Sequence, residues 1–77
     1  MYLAWFDASK KLSNYEKIHN AFARYVDKFD GAEPTELLVN SELDQLDQEW
    51  FPGQMDVYYR DDIPANCFWI GTPEDNT

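Results

Sequence analysis

The stretch Ser13-Asn14-Tyr15-Glu16-Lys17-Ile18-His19-Asn20-Ala21-Phe22-Ala23-Arg24-Tyr25-Val26-Asp27-Lys28-Phe29-Asp30-Gly31 decides the fold class. Tyr15, Ile18, Phe22, Tyr25 and Phe29 recur at steps of 3, 4, 3 and 4. That recurrence places one apolar stripe along an α-helix of about four turns. Ala21, Ala23 and Val26 widen the stripe. Ser13 followed by Glu16 makes a capping box, in which each side chain satisfies an orphan N–H of the first turn. Gly31 supplies the left-handed position that ends the helix, and Pro34 prevents its resumption.

Outward from this helix the chain reads as strands. Tyr2 to Phe6 is dense in aromatics, as strands often are. Thr35 to Val39 is a short apolar run bounded by Pro34 and Asn40, the length of a buried strand. Met55 to Tyr59 and Cys67 to Ile70 read as a third and fourth strand, joined by a loop that contains Pro64. Between the second and third strands, Ser41 is placed to cap a second, shorter helix. Glu42 and Asp44 would lie in its first turn, Leu43, Leu46 and Trp50 on its inner side, and Phe51-Pro52-Gly53 at its end. The expected fold is therefore a two-layer α/β (α+β) sandwich of order β-α-β-α-β-β. One mixed four-stranded sheet carries both helices on one face, and the final strand pair returns antiparallel. Residues 1–71 form the single domain, and residues 72–77 form a polar, frayed tail.

A sheet covered on one side usually alternates apolar and polar residues. Here Leu3, Trp5, Tyr58, Phe68 and Ile70 fall out of phase with Tyr2, Ala4, Phe6, Val57 and Trp69. Both faces then carry large apolar side chains, and the uncovered one is expected to be a contact surface.

Composition narrows the function. The chain has 77 residues, with fifteen acids, six bases and a net charge of −9. Thirteen aromatics and 44% hydrophobic content are too rich for disorder. Direct nucleic-acid binding is disfavoured, because it needs Lys and Arg to neutralise phosphates, and an anionic membrane surface is disfavoured likewise. The N-terminal apolar run spans six residues without a basic flank, too short for a signal sequence or a membrane span of about 20 residues. One cysteine, Cys67, cannot form an intramolecular disulfide. It is expected to be a small buried hydrophobe in a reducing, cytoplasmic setting.

No chemistry-bearing constellation emerges. The single histidine, His19, lies one position off the helix stripe and far in sequence from Cys67. Glycines at 31, 53 and 71 cannot build a phosphate loop. Asp61-Asp62, or Asp44 with Asp47, could offer two oxygens, short of the six to eight that calcium takes. No catalytic residue, metal or cofactor is expected.

Charge is segregated along the chain. Residues 1–28 hold five bases and three acids, net +2; residues 29–77 hold twelve acids and one base, Arg60, net −11. Such an acidic half steers a protein onto a basic surface. The residues expected to bind a partner are Glu42, Asp44, Asp47, Glu49, Asp56, Asp61 and Asp62, with Phe51 as an exposed aromatic anchor and Trp50 in the core. The expected function is a non-enzymatic acidic protein-binding module. In its sharper form it is a nucleic-acid mimic, an inhibitor of viral or mobile-element type that puts carboxylates where phosphates would lie. The alternative is a structural homo-oligomer that buries its second sheet face against itself.

Overall fold

A computed structural model describes residues 1–73. Along the chain run β1 (Tyr2–Phe6), α1 (Asn14–Lys28), β2 (Glu36–Asn40), a 3₁₀ turn (Gln48–Trp50), β3 (Asp56–Arg60) and β4 (Cys67–Gly71). The four strands form one mixed sheet in the order β1-β4-β2-β3. The β4 strand is antiparallel to both β1 and β2, while β2 and β3 are parallel. The domain is thus α+β with a four-stranded mixed sheet, and the single α-helix among the described residues packs over β4 and β1.

The helix forms as its sequence dictates. Ser13 Oγ accepts the Glu16 N–H at 3.1 Å, and Glu16 Oε1 accepts the Ser13 N–H at 3.1 Å. At the other end Gly31 adopts φ 89°, and its N–H reaches back to the Val26 carbonyl at 2.8 Å. Ile18, Ala21 and Tyr25 are buried against the sheet, and Tyr15, Phe22 and Phe29 pack on the same core.

The expected second helix does not form. Its polar residues hydrogen-bond the backbone locally, in competition with helix propagation. Asn40 Oδ1 accepts the Glu42 N–H at 2.9 Å, and Asp47 Oδ1 accepts the Glu49 N–H at 3.0 Å. Only Gln48–Trp50 keeps helical form, as a single 3₁₀ turn. Leu46 and Met55 nevertheless anchor this crossover in the core, with Leu43 and Phe51 beside them. Tyrosine hydroxyls accept two of its amides, that of Leu46 on Tyr59 and that of Asp47 on Tyr15, each at 2.8 Å. The crossover therefore takes the layer position expected of the second helix.

The final strand pair also departs from expectation. Instead of pairing with β3, β4 enters between β1 and β2. The strand sequences account for this. Cys67-Phe68-Trp69-Ile70-Gly71 is uncharged and suits a centre flanked on both sides, whereas Asp56-Val57-Tyr58-Tyr59-Arg60 carries a charge at each end and suits an edge. Register fixes the faces. Leu3 lies opposite Ile70, Ile70 opposite Leu37 and Leu37 opposite Val57; Trp5, Phe68, Val39 and Tyr59 form the next row. Both rows face α1 and the crossover. Val57 thus joins the covered face and Tyr58 the open one, the reverse of the grouping expected from phase alone. Thr72 donates to the Met1 carbonyl at 3.1 Å and so extends the sheet; the rest of the expected tail, from Glu74 on, lies outside the described residues.

Candidate binding surface

The face of the sheet without a helix carries a row built from all four strands. Ala4 lies opposite Trp69, Trp69 opposite Leu38 and Leu38 opposite Tyr58. Trp69 is 39% exposed, Tyr58 45% and Phe6 67%. Exposed aromatics on one surface are the residue types that dominate interface energetics. A shallow groove of about 290 Å³ beside the row is lined by Tyr2, Leu38, Arg60, Asp62, Ile63 and Trp69.

Polar groups flank the row on both sides, toward the two ends of the strands. At the end where β2 and β3 begin, Tyr2, Gly71, Glu36 and Asp56 stand in register across the four strands. The Tyr2 hydroxyl donates to Glu36 Oε1 across Gly71, which has no side chain to block the reach. This bond to a carboxylate favours the protonated phenol and pushes the Tyr2 pKa up to about 12, with desolvation adding to it. The Glu36 charge also raises the Tyr58 pKa. At the opposite end Arg60 donates twice to the Asp62 carboxylate, at 2.7 and 2.8 Å. That fork holds the Asp62 carboxyl below its ordinary value and the guanidinium above its own. Asn40 Nδ2 donates to the Ile63 carbonyl at 2.8 Å, and Ser41 N–H donates to the Arg60 carbonyl at 3.0 Å. These bonds tie the loop after β2 to the loop after β3.

The residues singled out by charge therefore separate into three places. Glu42, Asp44, Asp61 and Asp62 follow the C-terminal ends of two parallel neighbours, β2 and β3, and all four are exposed. Asp56 lies at the opposite end of β3, beside Glu36. Asp47 and Glu49 belong to the crossover on the helix side, where the Tyr15 hydroxyl accepts the Asp47 amide. Glu74 and Asp75 lie outside the described residues. The two aromatics of Trp50-Phe51 exchange their expected roles. Phe51 turns inward, its ring 6.3 Å from that of Tyr15, and Trp50 is 63% exposed. The cause is the short 3₁₀ turn, which faces Phe51 to the core where a continued helix would have faced Trp50.

Trp50 joins Leu12, Tyr15, Glu16, His19 and Asn20 around a second groove of about 450 Å³. His19 Nε2 lies 3.2 Å from the Trp50 carbonyl oxygen, and this lining includes no hydroxyl or thiol nucleophile beyond the Tyr15 phenol. Cys67 is only partly buried, against expectation, and lies on the open face, across the sheet from His19. Among the described residues no group of three or more His, Cys, Asp or Glu is arranged to hold a metal ion, and no helix is long and apolar enough to cross a membrane.

The open aromatic face was legible in the sequence as an excess of apolar residues in both strand phases. Glu36 and Tyr2 were not, because their bond spans 34 residues. The signal that could have found them is the glycine at 71, which lets a long side chain cross the central strand. Compared with protein-family models, curated proteins and solved structures, the chain matches none.

Proposed function

We propose that the chain is a non-enzymatic, acidic protein-binding module whose docking surface is the open face of the sheet. The observation that carries this reading is the aromatic row through Trp69 and Tyr58, exposed on a sheet that holds carboxylates at both of its ends. Aromatics supply desolvated contact area. The flanking Glu36 and Asp56, and the group of Glu42, Asp44, Asp61 and Asp62, supply a negative rim that attracts a basic partner and rejects acidic ones. A net charge of −9 directs the same preference over longer range. The partner is the basic surface of another protein, and in the sharper form a nucleic-acid-binding surface, where the carboxylates would take the place of phosphates.

The test uses immobilised wild-type protein and a Trp69→Ala/Tyr58→Ala variant, each offered a heparin-binding protein fraction with and without competing duplex DNA. The expected result is capture by the wild type that weakens as salt rises, that DNA suppresses, and that the double variant loses while keeping its circular dichroism. Capture indifferent to salt and to the aromatic substitutions, or no capture at low salt, refutes the reading.

A further inference from the structure

The free edge of β1 differs from every other border of this sheet. Met1 and Thr72 exchange hydrogen bonds, and Asp7 N–H donates to the Asn66 carbonyl at 3.0 Å. Positions 1 and 7 therefore bond toward β4, and alternation turns Leu3 and Trp5 the same way. The N–H and C=O groups of Tyr2, Ala4 and Phe6 point outward, and among the described residues no strand lies beyond them. An edge is ordinarily protected by a charge, a proline or a bulge. Tyr2-Leu3-Ala4-Trp5-Phe6 has no charge and no proline, and it pairs with β4 in unbroken register. The opposite edge, β3, carries Asp56 and Arg60.

The geometry points to a two-fold dimer in which β1 pairs antiparallel with β1 of a second copy, joining the two sheets into one of eight strands. Two features select a second copy as the occupant. The first is self-complementarity. With the axis at Ala4, Ala4 meets Ala4, and Tyr2 meets Phe6 of the second copy in both directions. All three outward-facing residues then fall in hydrogen-bonded pairs, which share their parity. On the open face each Phe6, which is 67% exposed, then lies directly across the seam from Tyr2 of the second copy, whose ring keeps its reach over Gly71 to Glu36; the added strand covers part of Phe6. The second feature is charge. Glu42, Asp44, Asp56, Asp61 and Asp62 lie on or after β2 and β3, the two strands farthest from β1, so approach through β1 keeps these groups of the two copies apart. The dimer does not rest on the docking proposal: it uses the strand edge, and leaves the Trp69 row open on both copies.

The test measures mass by sedimentation over a range of concentrations, together with amide hydrogen exchange by nuclear magnetic resonance. The expected result is a dimer in which the Ala4 and Phe6 amides are protected, and lose protection on dilution while those of Leu3 and Trp5 keep it. Ala4→Pro removes the central outward donor, which a free edge tolerates; Ala4→Lys puts like charges at the axis in a chain that keeps every backbone donor. Each should yield a monomer with Leu3 and Trp5 still protected. A wild type that stays monomeric throughout overturns the proposal. So does a dimer with freely exchanging Ala4 and Phe6 amides, or one that survives both substitutions. Diluting the wild type below the concentration at which the dimer forms lets the salt-dependent capture assay be read separately, on a chain whose open-face row, Ala4 included, is unchanged.

Discussion

Replacing Gly71 by alanine tests the sheet at the point where its centre, its edge and its open face meet. A Cβ at this position would fall on the Met1 carbonyl oxygen and within 2.7 Å of both Cα and Cδ1 of Tyr2. Rotating the Tyr2 ring relieves only the last of these contacts; the other two are backbone. The end of β1 must therefore lift away from β4. Overpacking of this kind costs about 1–3 kcal/mol. The paired bonds between Met1 and Thr72 add about 0.5–1.5 kcal/mol each when they break. Alanine returns roughly 0.4–1 kcal/mol by restricting the unfolded chain. At the middle of these ranges the net loss is about 3 kcal/mol, with bounds of about 1 and 5.5 kcal/mol, a large share of the stability of so small a domain. At about 4–8 °C per kcal/mol for this size, Tm should drop by roughly 10–25 °C. Thermal melting followed by circular dichroism measures it. Combining Gly71→Ala with Tyr2→Ala should recover only part of the loss, because the Met1 carbonyl remains. A drop in Tm smaller than about 4 °C for Gly71→Ala alone would mean that β1 does not lie against β4 in this register.

Three further outcomes follow from the same contacts. The Tyr2 pKa is raised from 10.0 to about 12, so the folded state holds this proton more tightly; its contribution is full below pH 10 and is lost as pH rises toward 12. Melts across that window should show Tyr2→Phe falling less steeply than the wild type, and parallel curves would exclude the Glu36 bond as the cause. Phe51→Ala removes a ring packed on Tyr15 and should lower stability by about 1–3 kcal/mol, whereas Trp50→Ala should change it by less than about 0.5 kcal/mol; urea titration separates them, and the reverse order would restore the helical reading of this crossover. Ser13→Ala deletes one half of the capping box and should cost about 1 kcal/mol in the same titration, with no measurable change expected only if the helix begins elsewhere.

The first strand and the helix were fully legible. Tyr2 to Phe6 forms a strand with the expected bounds, and the stripe from Tyr15 to Phe29 lies on the core. Both depend on local spacing and local capping, which a sequence displays directly. The crossover from Ser41 to Gln54 was half legible. Leu43 and Leu46 do pack inward, but their spacing suits a helix and an anchored loop equally. The choice between them rested on whether Asn40 and Asp47 would bond the backbone in place of a helical ladder. The acidic residues show the same limit. Their number and their concentration after residue 28 were plain, yet their division into a group beyond β2 and β3, a pair on the crossover and Asp56 beside Glu36 depends on strand order.

By itself, then, the sequence determined the helix after β1, four strands, a surplus of aromatics for one sheet face and a charge polarity along the chain. These are properties of period, capping and count. Tertiary structure alone decided that β4 takes the centre, that Tyr58 joins Trp69 on the open face, that Phe51 is inside with Trp50 outside, and that β1 ends as an uncharged free edge. Each of these turns on which distant segment becomes a neighbour. That choice is made by the competition of whole strands for the most buried place in the sheet, a comparison no single stretch of sequence contains.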